Sequence, residues 1–265
     1  MNIEKMWHWF REVNPWRGMM LSMILFVLYG VYALGDPVAA VRVILFVVPL
    51  GLILDYALHH SHPTARKGKF PESGLITSLI VTVLMPLGVA PLIAFMSVAL
   101  AILSKHFIRF KGEHVFNPAS FGVVITSLFA PFALGWWPDG YIWLAIILGV
   151  INLWRTRKYF QMLAFALIYL VFLAFAFKGL SVNVLLALPF FFMAFMLPEP
   201  VTSEGGVRGQ IQFGVIAAGG AVIATFIPAL APVALPAGLM LANLSRFTWK
   251  NPAPKYALTQ GFSPQ

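Results

Sequence analysis

The sequence predicts an all-α integral membrane protein with about ten transmembrane helices in two inverted five-helix repeats, several of the helices being short or broken. Three observations lead to this fold class. Apolar residues make up 60% of the 265 residues and charged residues only 10%, whereas soluble domains carry about 25% charged residues. Long apolar runs recur along the whole chain, and short strings of the first half return in the second.

Ten apolar segments are the candidate spans. Several are shorter than the roughly 20 residues that a straight spanning helix needs, so we expect short, tilted helices among them. The third and fourth segments meet at Pro86-Leu87-Gly88 and are either short tilted helices or a re-entrant pair. The ten segments are 19–35, 38–56, 73–86, 90–104, 118–133, 141–154, 159–177, 183–197, 210–227 and 230–245.

The basic residues predict the orientation of these segments. With the N-terminus in the cytoplasm, 16 of the 18 Lys and Arg residues fall on the cytoplasmic side, and only Arg42 and Lys178 fall outside. Cytoplasmic loops of membrane proteins are enriched in Lys and Arg, so we expect a multi-pass protein of the cell membrane with both termini cytoplasmic. The same rule accounts for the net charge of +9. Because no basic stretch is interleaved with exposed aromatic residues, we expect no nucleic-acid partner.

An internal repeat divides the chain. Pro118-Ala119 returns as Pro236-Ala237, and Ser127-Leu128-Phe129 returns as Ser245-Arg246-Phe247, both at an offset of 118 residues (236 minus 118 and 245 minus 127). Leu84-Met85-Pro86 is similar to Met196-Leu197-Pro198. Five spans in each half make the halves inverted with respect to each other. We therefore expect a cytoplasmic amphipathic segment (1–18), a first repeat (19–135), a second repeat (136–247) and a cytoplasmic tail (248–265).

Several kinds of chemistry have little support in the sequence. The chain has no Cys, which excludes disulfides, thiolate metal sites and cysteine-ligated iron–sulfur clusters. His59, His60 and His62 belong to a basic loop, and no His lies in the middle of a predicted span, so we expect no metal or haem site. Asp55 is either an interfacial acid near Arg66 or an intramembrane relay for protons or cations. No general acid, base or nucleophile is assigned.

Three polar strings interrupted by proline are the candidate functional site. They are 70–73, 112–120 and 197–204, and all fall on the predicted cytoplasmic side. Polar groups are costly at the edge of the hydrocarbon layer unless they face protein, water or a ligand. Helices that begin at Ser73 and Pro118 direct their N-terminal NH groups towards this side, which suits an anionic or carbonyl-bearing ligand. Taken singly, Glu72, Asn117 and Thr202 are also ordinary caps and turn residues.

The same strings resemble the NqrB/RnfD family, the membrane subunits of the sodium-pumping NADH:quinone oxidoreductase and of the Rnf electron-transport complex. They come in the order of the family and span about residues 70–247. In the family the second string usually carries Asp where this chain has Glu199, which keeps the charge but lengthens the side chain. The similar stretches are Glu72 to Thr77 running to Leu84-Met85-Pro86, Phe116 to Gly122, Pro198 to Ser203, Arg208-Gly209-Gln210 and Phe213-Gly214.

The resemblance implies a ten-helix, two-repeat subunit that binds flavin within the membrane. It would pass electrons inside a larger ion-translocating oxidoreductase, together with other membrane and redox subunits. The implied pocket lies near the cytoplasmic face, and quinone is a further candidate ligand for it. Motif by motif, the implied cofactor-binding residues are Ser73, Thr77, Phe116, Asn117, Pro118, Ser120, Glu199, Thr202 and Ser203.

The chain departs from the family at the outer face. Family members usually carry FMN linked to Thr in a Ser-Gly-Ala-Thr-like motif, and none of the nine Thr residues lies in such a context. The outer loop, 135–140, contains no Thr. We therefore expect a noncovalent flavin (FMN or riboflavin) and no covalent FMN. The missing motif favours an alternative, a small-solute transporter or channel on the same inverted repeat, whereas the intact inner strings favour electron transfer.

Overall fold

The structure is a computed structural model that describes residues 15–60, 71–199, 201–203 and 205–247. Most of the predicted N-terminal segment and the whole C-terminal tail lie outside the described residues, as does the basic loop with His62 and Arg66. The predicted all-α class is confirmed for the described part. Its helices are α1 (Pro15–Ala33), α2 (Pro37–His60), α3 (Glu72–Leu84), α4 (Pro91–Phe107), α5 (Pro118–Phe129), α6 (Ile142–Thr156), α7 (Tyr159–Ala176), α8 (Val182–Leu186), α9 (Val207–Thr225) and α10 (Ala234–Ser245).

Short irregular elements connect these helices. Between α4 and α5 the chain forms a small antiparallel hairpin of β1 (Arg109–Phe110) and β2 (Glu113–His114). Single 3₁₀ turns, Trp137–Tyr141 and Ala231–Val233, precede α6 and α10.

The eighth predicted segment, 183–197, is interrupted. Its helix α8 ends at Leu186, and the chain continues through Pro189 into a π-helical turn, Phe192–Met196. Proline has no NH group to donate, so it interrupts a helix. A π-helical turn is a rare element that recurs at functional sites. The sequence had indicated one continuous segment here.

Five helices in the described part of the chain are long and apolar enough to cross a membrane, which identifies a membrane protein. They fall within α1, α2, α7, α9 and the combined stretch Trp137–Thr156. The remaining apolar helices, α3, α4, α5 and α10, are shorter. Large apolar side chains on the outer surface, such as Phe175 (88% exposed) and Tyr32 (83% exposed), fit contact with lipid.

Several helix contacts in the first half of the chain have counterparts in the second half. Helix α4 packs along α5 as α9 packs along α10, and α2 contacts α4 as α7 contacts α9. Helix α1 contacts α3 as α6 contacts the π-helical turn. Between the halves, α1 lies against α6 and α5 lies against α10. The apolar core is built largely from α1, α3, α4 and the π-helical turn. Two of the polar strings, 112–120 and 197–204, meet where α5 lies against α10.

Glycines allow the closest of these helix contacts. Gly122 and Gly238 are each the fifth residue of their helix, α5 and α10. A Cβ at Gly122 would lie 2.1 Å from the carbonyl oxygen of Ser97, and one at Gly238 would lie 2.3 Å from that of Ala217. Only glycine lets the two backbones approach so closely.

Two carbonyl groups that precede a proline are capped by buried side chains. The indole Nε1 of Trp137 donates a hydrogen bond to the carbonyl of Met85, at 2.7 Å. The Nε2 of Gln161 donates to the carbonyl of Leu197. Buried backbone carbonyls need such donors when a helix ends inside the protein. Met85 and Leu197 are 112 residues apart (197 minus 85), the offset of the Leu-Met-Pro and Met-Leu-Pro strings.

Candidate functional site

A buried carboxylate is the centre of the candidate site. Glu199 follows the π-helical turn and is 6% exposed. Its Oε2 accepts hydrogen bonds from Asn117 Nδ2 (2.9 Å) and Thr202 Oγ1 (2.7 Å). Its Oε1 lies 3.3 Å from Nε2 of His114. Buried carboxylates need partners of this kind, and here three side chains from two separate strings supply them.

Asn117 is both a helix cap and a member of this cluster. Its Oδ1 accepts a hydrogen bond from the backbone NH of Ser120 (3.0 Å), which is the N-cap geometry of α5. Pro118 follows at the first helical position, where the absent NH costs nothing. The backbone NH of Asn117 donates to Oδ1 of Asn243 (2.9 Å), and Asn243 Nδ2 donates to the carbonyl of Thr202 (3.1 Å). The start of α5, the last turn of α10 and the loop after the π-helical turn are thereby joined.

The loop that carries Glu199 is held by its own backbone. Ser203 donates through both its backbone NH (3.1 Å) and its Oγ (2.6 Å) to the carbonyl of Glu199. The buried side chain of Lys158 donates to the carbonyl of Ser203 (3.3 Å). These contacts fix the carboxylate where Asn117 and His114 reach it.

A narrow cavity opens beside this cluster. Its volume is about 10 Å³, the scale of one water molecule. The walls combine apolar side chains of α1 and α3 with polar groups of α3, the hairpin and α5. They are Trp16, Met19, Ser73, Ile76, Thr77, Ile80, His114, Asn117, Pro118, Ala119 and Glu199.

The structure brings most of the predicted site residues together. Five of them line the cavity, and Thr202 and Ser203 bind Glu199 directly. The backbone NH of Ser120 donates to Oδ1 of Asn117, whereas its buried Oγ has no partner among the described residues. Phe116 packs against Phe121, with ring centroids 5.5 Å apart, and does not line the cavity. The five lining residues are Ser73, Thr77, Asn117, Pro118 and Glu199.

Two members of the cluster were not among the predicted site residues. His114 belongs to the string 112–120, but its proximity to a carboxylate 85 residues away is not visible in the sequence. Asn243 is an isolated amide in the apolar run of α10, and that isolation was the available signal. Polar residues inside apolar helices usually face the interior and find partners there.

Asp55 has two basic partners that the sequence did not indicate. The predicted neighbour Arg66 lies outside the described residues. In the structure Asp55 is buried, and its Oδ1 accepts a hydrogen bond from Lys105 Nζ (2.7 Å) and lies 2.8 Å from His106 Nε2. A Cβ at Gly74 would lie 2.5 Å from Oδ2 of Asp55. The cluster therefore holds α2 and α4 against the first turn of α3, close to the cavity wall.

Two further amides stabilise the π-helical turn. Asn152 Nδ2 donates to the carbonyl of Ala194 (2.6 Å), and Gln161 Nε2 donates to the carbonyl of Leu197. Both side chains are buried. They replace the intrahelical partners that the irregular backbone lacks, so the break before Glu199 is a supported feature of the fold.

In the described part of the chain, no cluster of three or more His, Asp and Glu residues has the arrangement of a metal site.

No protein-family model matches the chain, and no curated protein matches it. The resemblance to the NqrB/RnfD family therefore rests on the sequence strings, and it stays a prediction.

Proposed function

We propose that this chain is an electron-transfer subunit of a membrane oxidoreductase complex, with a noncovalent flavin (FMN or riboflavin) at the Glu199 site. The observation that carries the proposal is the buried cluster of His114, Asn117, Glu199 and Thr202, which lies beside a cavity with apolar walls. Cofactor pockets typically combine a few converging polar groups with apolar walls. Quinone is a further candidate ligand. Other membrane and redox subunits would supply the electrons, because a chain without Cys holds no cysteine-ligated cluster.

The lining residues fit a flavin ring by their chemistry. Thr77, His114 and Asn117 carry hydrogen-bonding groups for ring carbonyls and nitrogens, while Trp16 and Met19 offer apolar surface for the ring faces. The ring is larger than the cavity of about 10 Å³. Binding therefore requires Trp16 and Met19 of α1 to move away from α3. A bound flavin would supply one- and two-electron chemistry; the protein side chains would orient the ring and exclude water.

We further propose that the ten helical segments form two inverted repeats that span the membrane, with both termini in the cytoplasm. The matching helix contacts of the two halves support this architecture. So do the glycines at the fifth positions of α5 and α10, and the capped carbonyls of Met85 and Leu197. Inverted repeats place ligand sites between the repeats at broken helices, and the Glu199 cluster joins α5 to α10.

One observation favours the alternative, a small-solute transporter or channel. The cavity has the size of a single water molecule, and a small solute would enter it without displacement of α1. The same inverted repeat would then conduct the solute between the broken helices.

The absorbance spectrum of the protein purified in mild detergent tests both functions. We expect a yellow protein that releases its flavin into the supernatant on acid precipitation. Colour that stays with the precipitated chain would contradict noncovalent binding. A protein that stays colourless after incubation with FMN and riboflavin would overturn electron transfer in favour of transport.

Substitutions at the site test where the flavin binds. Asn117→Ala and Thr202→Ala each remove a donor to Glu199, and we expect both variants to lose the flavin. The matched controls are Asn183→Ala, at an exposed position of α8, and Thr225→Ala, whose hydroxyl binds its own helix. Equal flavin loss in the controls would place the flavin elsewhere.

A further inference from the structure

The β1–β2 hairpin has a two-residue turn and lies next to the candidate site. Arg109 pairs with His114 and Phe110 pairs with Glu113, so only Lys111 and Gly112 form the turn. Both have positive φ, 51° and 88°, which is the backbone of a tight type I′ hairpin. The second strand ends at His114, which lines the cavity. The turn is therefore preorganised within a few residues of the Glu199 cluster.

The hairpin and the end of α10 form a basic and aromatic surface. Phe110 is 48% exposed, and its ring centroid lies 5.0 Å from that of Phe247. Lys111 Nζ lies 5.4 Å from the Phe110 centroid, and the guanidinium of Arg246 lies 4.8 Å from that of Phe247. Cations near aromatic faces are attracted by the ring quadrupole. We call Arg109, Phe110, Lys111, Arg246 and Phe247 the hairpin surface.

Arg246 of this surface contacts the loop that carries the buried carboxylate. The Arg246 guanidinium donates to the carbonyl of Val201 and lies 3.5 Å from the Glu113 carboxylate. Val201 lies within the loop between Glu199 and Thr202. Anything bound to the hairpin surface therefore contacts residues that position the site.

Among the described residues at this end of the molecule, basic side chains outnumber acidic ones. Arg17, Arg157 and Arg208 are exposed there in addition to Arg109 and Lys111. Among the described residues, the acids with exposed surface at this end are Glu72 and Glu113, and each is already paired with an arginine. In the described part of the opposite end, two bases, Arg42 and Lys178, accompany two acids, Asp36 and the partly buried Asp139.

We propose that the hairpin surface binds an acidic protein partner, with Phe110 as the apolar anchor. Arg and aromatic residues are enriched in protein interfaces, and opposite charges steer the encounter. The charged Arg109, Lys111 and Glu113 lie within three residues of Phe110, so a partner at this surface would meet apolar and charged groups together. The proposal rests on the proposed function, because such a partner would deliver electrons beside the cavity.

A defined acidic probe tests the surface without any flavin. The chain in nanodiscs of zwitterionic lipid is titrated with a fluorescent poly-glutamate peptide that contains interspersed leucines. We expect binding that weakens with salt, and Arg109→Glu with Lys111→Asp should weaken it about tenfold or more. Asp tolerates the positive φ of position 111. Phe110→Ala should weaken binding about threefold, in the range of a modest interface contact.

The opposite end offers matched controls. Arg42→Glu with Lys178→Asp reverses the same two charge types, and Lys178 also has positive φ, 58°. Phe177→Ala removes an exposed phenylalanine next to it. We expect the control variants to bind the peptide as the wild type does. Absent binding by the wild type, or equal losses in the two double variants, would overturn the proposal.

A fluorophore attached at the hairpin turn distinguishes binding to a protein partner from binding to the lipid surface. Because the chain has no Cys, Lys111→Cys carries one environment-sensitive fluorophore. A spectral shift on addition of the peptide supports the proposal, whereas quenching by brominated anionic lipid assigns the hairpin to the membrane and overturns it. A colourless protein that binds the peptide would contradict only the flavin, and a yellow protein that ignores the peptide would contradict only this surface.

Discussion

At the scale of the residue, Glu199 stabilises the site because its carboxylate contacts several polar side chains at once. Its Oε2 accepts hydrogen bonds from Asn117 and Thr202, and its Oε1 lies 3.3 Å from Nε2 of His114. These three side chains belong to two separate strings of the chain. A buried donor without an acceptor costs roughly 1–3 kcal/mol, so the cluster depends on this one side chain.

We predict that Glu199→Ala lowers the thermal stability of the protein in detergent, because Asn117 and Thr202 lose their acceptor. The expected cost is about 2–4 kcal/mol, seen as a fall of several degrees in Tm. The matched control is Glu113→Ala, whose carboxylate is 63% exposed and pairs only with Arg246 in the described part of the chain. Its effect should stay within about 0.5 kcal/mol. Equal Tm values for wild type and Glu199→Ala would contradict the structural role of the cluster.

At the scale of the element, α9 and α10 depend on contact between their backbones. A Cβ at Gly238 would lie 2.3 Å from the carbonyl oxygen of Ala217 and 2.4 Å from the backbone nitrogen of Ala221. Neither atom belongs to a flexible side chain, so the whole helix would have to shift. In a membrane, close packing of small residues is a main source of helix association.

We predict that Gly238→Ala separates α9 from α10 and destabilises the protein by about 1–3 kcal/mol, as overpacking does. The control is Gly219→Ala, because a Cβ there meets no atom within 4 Å. Alanine also favours the helix over glycine by about 0.5–1 kcal/mol. Tm in detergent should therefore fall for Gly238→Ala and stay or rise for Gly219→Ala. The opposite order would show that the contact is looser than described.

At the scale of the whole molecule, the short helices decide the topology. Helix α5 has 12 residues, or about 18 Å at 1.5 Å per residue, against a hydrocarbon core of about 30 Å. If α5 spans, three crossings separate Lys111 from Lys178. If only the long helices span, two crossings separate them, and both residues lie on the same side.

We predict that Lys111→Cys and Lys178→Cys lie on opposite sides of the membrane. The chain has no Cys, so each variant carries a single thiol. An impermeant maleimide should label the Lys178→Cys variant in intact spheroplasts and the Lys111→Cys variant only after the membrane is broken. Labelling of both variants from the outside, or of neither variant, would contradict the ten-span repeat, although the five long helices would remain.

The sequence predicted much of the fold from composition and local pattern. Nine of the ten predicted segments coincide with one helix each in the structure, because apolar runs bounded by proline and glycine are local signals. The break inside 183–197 was not predicted. It depends on Asn152 and Gln161, which reach the π-helical turn from α6 and α7. Such support over long sequence distances leaves no local pattern.

By itself, the sequence determined the class of the protein, the extent of most helices and the polar strings that form the site, since each depends on neighbouring residues. Only the tertiary structure decided that Glu199 binds His114 and Asn117, that Asn243 completes the cluster, and that Lys105 and His106 surround Asp55. These contacts arise when helices that are far apart in the chain cross. The pairing of polar groups there is set by the crossing geometry, because a buried polar group takes whichever partner the packing brings within reach.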